Sequence, residues 1–189
     1  MRPDYIQCEL LNDEEVKLIT DTVDKKLETA FVTEEKITSE GKTEKQNFAK
    51  KIWSKRRGKI CFIDESEHFE VLAPVVKKVV ECFKQGAHKE WGVDLPFVEY
   101  IQYTHYGLLD VYGWHMDVGL SGPHRLVSAS VELDDPKSYI GGGLQFYHHP
   151  NPKPNVKKGT MTIFPSYMMH RANTVFYGKR RSLVIWGGF

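Results

Sequence analysis

The chain has 189 residues, 41% of them hydrophobic and 27% charged, and its 26 basic and 25 acidic side chains give a formal net charge of +1. This length suits one globular domain, and the balanced charge excludes a polycation or polyanion. No apolar run approaches the roughly 20 residues of a membrane span, and no apolar signal peptide is present. Cys8, Cys61 and Cys82 form no CxxC pair, which excludes a zinc finger and a disulfide framework. We expect a single cytoplasmic domain over residues 1–189 without a membrane partner.

Two amphipathic helices are predicted in the N-terminal half. Asn12 and Glu15 have the spacing of a capping box, and apolar residues at helical spacing follow them. The first helix is therefore expected over about residues 13–29. A second apolar series runs up to Gly86, a residue type that favours the left-handed position after a helix. The second helix is therefore expected near residues 73–85.

Between the helices, residues 41–59 are dense in Lys and Arg, and Glu44 is their only acid. We interpret this segment as a long basic loop within a helical N-terminal support, residues 1–96. Three interpretations stay open: a solvated surface loop, a lid that folds over bound substrate, and a patch for an anionic partner.

After Pro96 the sequence becomes rich in Val, Ile, Tyr and Thr, in segments of strand length between Gly, Pro and Asp clusters. Strands are predicted at residues 97–105, 111–117, 126–133, 143–147, 160–164, 170–176 and 182–187. Two helices followed by many short strands predict an α+β, mainly β fold, with helices packed outside an antiparallel barrel or sandwich.

Three residues form a candidate metal site. His115 and Asp117 are two positions apart, so an extended backbone would point both side chains to the same face. This pair also arises by chance in proteins without metals. His170 begins another predicted strand, and a barrel can bring distant strands together. Two imidazoles and one carboxylate on one side of a metal form the facial triad of non-haem Fe(II) sites, which keeps open positions for other ligands.

Arg180 and Ser182 form a candidate anion site in the last predicted strand. They alternate with Arg181 and therefore share a face. The guanidinium and the hydroxyl could bind one carboxylate together. The alternative for Arg180 is an ion pair at the protein surface.

Several motifs in fixed order resemble a known family. Tyr106, Tyr112, His115, Asp117 and the segments LVSASVELDDPKSYIGGGLQF and FPSYMMHRANTVFYGKRRSLVIW together resemble the 2-oxoglutarate/Fe(II) oxygenases of the prolyl 4-hydroxylase-like group, especially its short bacterial and bacteriophage members. The resemblance covers residues 97–189. It implies a double-stranded β-helix, or jelly roll, for these residues, with the N-terminal helices packed outside.

The resemblance also implies roles for individual residues. His115, Asp117 and His170 would bind Fe(II). Arg180 would pair with the far carboxylate of 2-oxoglutarate, assisted by Ser182.

Three aromatic residues have a second interpretation. The resemblance implies that Tyr106 lines the cosubstrate pocket and that Tyr112 lies near the substrate, while Trp186 would close the pocket. Packing in the core is the alternative for all three.

The activity that the resemblance implies is hydroxylation with Fe(II), 2-oxoglutarate and O2, releasing succinate and CO2. The expected substrate is a polypeptide, with a prolyl side chain as the first choice. A need for ascorbate and the oligomeric state stay open, and a bacteriophage protein would act in its host's cytoplasm. The basic loop motivates a nucleic-acid oxidative demethylase as the alternative enzyme, although such enzymes carry a second arginine where this chain has Trp186, so a nucleic-acid partner is not expected. A metal-free β-barrel binding module is the alternative without catalysis.

Overall fold

The computed structural model describes residues 4–30, 33–37, 43–47, 56–64, 66–118, 124–147 and 154–189. Its α-helices are α1 (Asp13–Val23) and α2 (Ala73–Trp91). Its first six strands are β1 (Ile6–Glu9), β2 (Glu28–Thr29), β3 (Thr33–Ile37), β4 (Thr43–Asn47), β5 (Arg56–Arg57) and β6 (Lys59–Ile63). The remaining strands are β7 (Phe97–Val98), β8 (Ile101–Tyr106), β9 (Val111–His115), β10 (Arg125–Glu132), β11 (Ile140–Gly141), β12 (Leu144–Phe146), β13 (Thr160–Pro165), β14 (His170–Ala172), β15 (Val175–Tyr177) and β16 (Arg180–Gly188).

Two antiparallel sheets contain most of these strands. The larger sheet has the order β1-β13-β10-β16-β8-β6-β2, with β7 also paired to β16. The smaller sheet has the order β12-β14-β9-β5, while β11 pairs with β15 and β3 pairs with β4. The prediction of a mainly β C-terminal half is confirmed. The predicted strand over 170–176 is wrong in one respect, because it divides into β14 and β15, which pair with different strands.

Helix α1 begins as predicted and ends earlier. The Asn12 side chain accepts a hydrogen bond from the Glu15 backbone, and the Glu15 side chain accepts one from the Asn12 backbone, so the capping box is present. The helix ends at Val23 and not near residue 29. Asp24 follows it and accepts hydrogen bonds from Tyr103 and Arg181 of the larger sheet. These contacts bind the chain to the sheet where α1 passes into a 3-10 turn at Asp24–Lys26.

Helix α2 is longer than predicted, because Gly86 lies inside it. A methyl group at Gly86 would lie 2.5 Å from Ile163 of β13, so glycine lets the helix approach the sheet closely. The left-handed position belongs to Gly92, whose φ is 67°. The predicted cap is therefore wrong, and Gly86 instead faces the side chain of Ile163 inside the helix.

The basic segment is only partly a loop. Residues 43–47 form β4, and Arg56 and Arg57 form β5 at the edge of the smaller sheet, where they pair with Tyr112 and Val111 of β9. The middle of the segment, residues 48–55, lies outside the described residues. The prediction of one continuous loop over 41–59 is therefore wrong, because two parts of it pair as strands.

Apolar and polar side chains alternate along the central strands, so the two faces of the larger sheet differ in character. On β10, Val127, Ala129 and Val131 belong to the hydrophobic core that contains buried residues of both helices. Ser128 and Glu132 alternate with them, are buried too, and lie on the opposite face of the strand. The helices therefore cover one face of the larger sheet, and its other face carries polar side chains.

Neither helix in the described part of the chain combines the length and the apolar composition needed to cross a bilayer.

Two thiols meet where β1 packs against α2. The sulfur atoms of Cys8 and Cys82 are 3.0 Å apart, and both side chains are half-buried. The hydrogen bond from Cys8 lowers the pKa of Cys82 to about 7, which favours the reactive thiolate. We expect hydrogen peroxide to join the pair in a disulfide: the thiols lose two electrons and two protons, and the peroxide is reduced to water. The melting temperature should rise by roughly 5–15 °C.

Intact mass, tryptic mapping and thermal melts before and after oxidation check this expectation. Cys61→Ser should retain the shift, because Cys61 is not part of the pair, whereas Cys82→Ser should abolish it. If the oxidised wild type still alkylates at Cys8 and Cys82, the expectation is wrong.

Candidate active site

Two histidines are paired on neighbouring strands of the smaller sheet. The pairing of β9 with β14 places His115 opposite His170, and the centroids of their rings are 4.2 Å apart. The Nδ1 of His115 lies 2.8 Å from the carbonyl oxygen of Gly113, and the Nδ1 of His170 lies 2.8 Å from that of Met168. A carbonyl oxygen only accepts, so each Nδ1 carries the proton. Each Nε2 therefore retains a free lone pair.

Asp117 lies between these two lone pairs. Its Oδ1 is 3.6 Å from the Nε2 of His115, and its Oδ2 is 3.5 Å from the Nε2 of His170. Asp117 follows the end of β9, where its backbone N–H donates to the carbonyl oxygen of Ser166. The Ser128 hydroxyl donates to Oδ2 at 2.7 Å. The contact with Ser166 thus fixes the backbone of Asp117, and the contact with Ser128 orients its carboxylate.

The three side chains have the geometry of a metal site. One potential ligand atom from each lies within 4.8 Å of the others. Burial, and then the neighbouring His170, lower the pKa of His115 to about 4, so its imidazole is neutral at neutral pH and able to bind a cation. Two imidazoles and one carboxylate leave other coordination positions open, as in non-haem Fe(II) sites. The residues therefore fit Fe(II).

Arg180 is buried at the start of β16. Its side chain is 4% exposed, and its Nε donates to the Oε2 of Glu132, whose side chain is 3% exposed, at 2.9 Å. The Nη2 of Arg180 donates to the Ser130 hydroxyl at 3.4 Å. The predicted alternative of a surface ion pair for Arg180 is therefore wrong. The ion pair is buried, and it faces the interior between the sheets.

The remaining predicted residues surround the same space. Tyr106 is opposite Arg180 in the pairing of β8 with β16. Tyr112 stacks on His115, with their ring centroids 3.7 Å apart. The hydroxyl of Ser182 is 2.6 Å from that of Thr104, so Ser182 already has a polar partner.

One cavity of about 50 Å³ brings all the predicted site residues together. Its walls include Tyr106, Tyr112, His115, Asp117, His170, Arg180, Ser182 and Trp186. The indole nitrogen of Trp186 is buried and has no acceptor in the described part of the chain. It is thus a free donor near a pocket built around a candidate metal site.

A second cavity of about 380 Å³ lies beside the first and includes Glu132 and Tyr139 in its walls. Both cavities are lined by Ser130, Leu144 and Arg180. Arg180 therefore stands where the two cavities meet.

Sequence reasoning missed Ser128, Glu132 and Arg56. The first two lie two positions to either side of Ser130 and share its face of β10, and this row of polar residues between apolar ones was the available signal. The guanidinium of Arg56 packs over the Tyr112 ring at 4.5 Å. No local pattern distinguished Arg56 from the other cations of the basic segment.

Residues 101–187 match the family model described as the 2OG-Fe(II) oxygenase superfamily. The chain is similar to a PKHD-type hydroxylase of Thermosynechococcus vestitus, with 26% identity over 137 residues, which cover 66% of this chain and 57% of that protein. A PKHD-type hydroxylase of Crocosphaera subtropica is 25% identical over 134 residues, which cover 66% of this chain and 60% of that protein. The chain thus spans less than two thirds of the length of these relatives.

Solved structures show the same fold. A prolyl-4-hydroxylase of Pseudomonas putida has a TM-score of 0.65 and 18% identity, covering 98% of this chain and 92% of that one. The viral collagen prolyl hydroxylase of Paramecium bursaria Chlorella virus-1, in its 2OG complex, has a TM-score of 0.66 and 18% identity. The match covers 99% of this chain and 97% of that one. A prolyl hydroxylase of Trichoplax adhaerens, in complex with a peptide fragment, has a TM-score of 0.66 and 16% identity. The match covers 98% of this chain and 83% of that one. The predicted double-stranded β-helix is confirmed.

Proposed function

We propose that this protein, whose residues 101–187 match the family model of the 2OG-Fe(II) oxygenase superfamily, is an Fe(II)- and 2-oxoglutarate-dependent dioxygenase that hydroxylates a prolyl side chain of a polypeptide. One observation supports the proposal most directly. The three candidate metal ligands and a buried arginine line the same cavity between the sheets. A cation site and an anion site in one pocket suit a metal that binds together with a dicarboxylate.

Each residue has a task in this proposal. His115 and His170 would bind Fe(II) through Nε2, and Asp117 would bind it through its carboxylate. Arg180 would hold the far carboxylate of 2-oxoglutarate as a charged donor. Fe(II), 2-oxoglutarate and O2 supply the oxidising chemistry when they are bound, with release of succinate and CO2. Trp186, which is 7% exposed, would help to exclude water.

The polypeptide substrate is proposed from the solved structures that share this fold. Three of them are named prolyl hydroxylases, and one of these holds a peptide fragment.

The first test needs no substrate. Fe(II) and then 2-oxoglutarate are added to the anaerobic apo-protein, and the visible metal-to-ligand charge-transfer band is recorded. We expect a band in the wild type that saturates with 2-oxoglutarate and disappears when the metal is chelated. A wild type without this band would contradict the oxygenase assignment and favour the metal-free binding module.

The second test addresses the substrate. Proline-containing peptides and matched peptides with alanine in place of proline are incubated with the protein, Fe(II), 2-oxoglutarate and O2, and both peptide mass and succinate are measured. We expect a mass gain of one oxygen atom in the proline peptides only. Oxidation of a small molecule or a nucleic acid in place of these peptides would refute the prolyl substrate and leave the dioxygenase intact.

A further inference from the structure

The buried ion pair leaves one carboxylate oxygen of Glu132 without a partner. Oε2 accepts from the Nε of Arg180, while Oε1 is buried and has no donor in the described part of the chain. An unpaired buried polar atom costs about 1–3 kcal/mol. Oε1 can therefore accept a hydrogen bond from a donor that a bound ligand brings into the site.

Once a dicarboxylate binds, Arg180 contacts two anions, the carboxylate of Glu132 and the far carboxylate of the ligand. Among the described residues that line the two cavities, Arg180 is the only arginine or lysine. Without ligand, Arg180 and Glu132 neutralise each other. A second carboxylate at Arg180 would leave one net negative charge in a buried site. Two carboxylates that share a buried site usually share a proton, because both cannot stay ionised at close range.

The space around the pair places the second carboxylate near Glu132. Arg180 lines both the cavity at the metal ligands and the larger cavity beside it. A five-carbon diacid that reaches from the metal to Arg180 therefore reaches the junction of the two cavities. Glu132 lines that larger cavity.

We propose that Glu132 takes up a proton when 2-oxoglutarate binds, and that the resulting neutral carboxyl group shares this proton with the far carboxylate of the cosubstrate beside Arg180. Glu132 is thereby a cosubstrate-binding residue in addition to a partner of Arg180. The inference rests on the proposed function and adds a binding residue with a defined protonation state.

The charged and polar groups around Glu132 favour the uptake of a proton by its carboxylate when 2-oxoglutarate binds. Burial raises the pKa of Glu132, and Asp134 raises it further, whereas Arg180 and Tyr139 lower it. Burial keeps Tyr139 itself protonated, since its pKa is raised. A bound carboxylate adds another negative charge and raises the pKa of Glu132 again. The complex therefore binds more protons than the free protein, so the affinity for 2-oxoglutarate falls as pH rises between the two pKa values of Glu132.

Calorimetry measures this proton directly. The protein is loaded with Mn(II), which occupies the histidines and removes them from the titration, and 2-oxoglutarate is added in pairs of buffers with different ionisation enthalpies between about pH 6 and pH 9. We expect proton uptake that approaches one proton where the pH lies between the two pKa values of Glu132. The dissociation constant should rise by up to about tenfold per pH unit in the same window.

Substitutions of Glu132 test whether this residue is the one that takes up the proton. Glu132→Gln mimics the neutral carboxyl group, so its affinity should lose the pH dependence and its binding should proceed without proton uptake. Glu9→Gln removes an acid of an exposed pair with Lys157 and should retain the wild-type uptake. If Glu132→Gln does not fold, Glu132→Asp retains the acid and should still take up a proton, in a displaced pH window.

The outcomes separate this inference from the function on which it rests. Binding of 2-oxoglutarate without proton uptake in the wild type overturns this inference alone. Unchanged uptake in Glu132→Gln, or its loss in Glu132→Asp, also overturns it. A wild type that does not bind 2-oxoglutarate at all overturns the proposed function together with this inference.

Discussion

The Asp117→Ala variant is expected to lose at least roughly 100-fold in Fe(II) affinity, and with it the charge-transfer band. The loss of a residue that merely orients a metal ligand already costs about 10–100-fold. Asp117 is 8% exposed, and it is the only one of the three candidate ligands that brings a negative charge. Without it, a divalent cation would enter a buried site with two neutral imidazoles and no compensating charge.

Anaerobic titration of Fe(II) into both proteins, followed by addition of 2-oxoglutarate, measures this effect. Asp94→Ala is the matched control, because Asp94 contacts His88 at 2.8 Å in a second His–Asp pair that lies on the surface. It should bind Fe(II) like the wild type. An Asp117→Ala variant that retains wild-type affinity would show that the metal binds elsewhere.

The Arg180→Met variant should have the largest effect on stability. Removing one partner of a buried ion pair typically costs about 3–5 kcal/mol in free energy of unfolding, because the other charge is left buried and uncompensated. Here the charge left behind is Glu132, which is 3% exposed. The same variant should bind 2-oxoglutarate far more weakly, since no other arginine or lysine among the described residues lines the pocket.

Urea unfolding of Arg180→Met and of the double variant Arg180→Met/Glu132→Gln separates the two causes. The double variant should regain much of the lost stability because it no longer buries a lone carboxylate. The matched control is Lys78→Met, which breaks a partly exposed pair with Glu15 and should cost no more than about 1 kcal/mol. If Arg180→Met unfolds within about 1 kcal/mol of the wild type, the pair contributes little to stability.

The candidate metal ligands could be predicted from the sequence because strand geometry constrains them. Two positions along an extended chain return to the same face, which places Asp117 beside His115. The position of His170 opposite His115 depends on strand pairing, and no local pattern specifies which strands pair. The family resemblance supplied that step, and in the structure the register of β9 with β14 pairs His170 with His115.

The features that could not be predicted depend on distant contacts. Gly86 has the local pattern of a helix cap, but in the structure it lies inside α2 and faces Ile163 of β13. Glu132 has no recognisable role in the sequence, and its ion pair with Arg180 appears only when β10 pairs with β16. In both cases the residue is plain in the sequence, and its partner is determined only by tertiary packing.

Both histidine rings are oriented by carbonyl groups of the main chain, two positions before each histidine, at Gly113 and Met168. Each ring thus has a hydrogen-bond acceptor within a stretch of three residues, in addition to the aromatic contacts of Tyr112 with His115 and of Phe164 with His170. A substitution elsewhere in the pocket wall leaves both main-chain acceptors in place. For protein engineering, wall positions that do not contact the two histidines are therefore the ones at which the pocket can be altered while the candidate metal ligands keep their orientation.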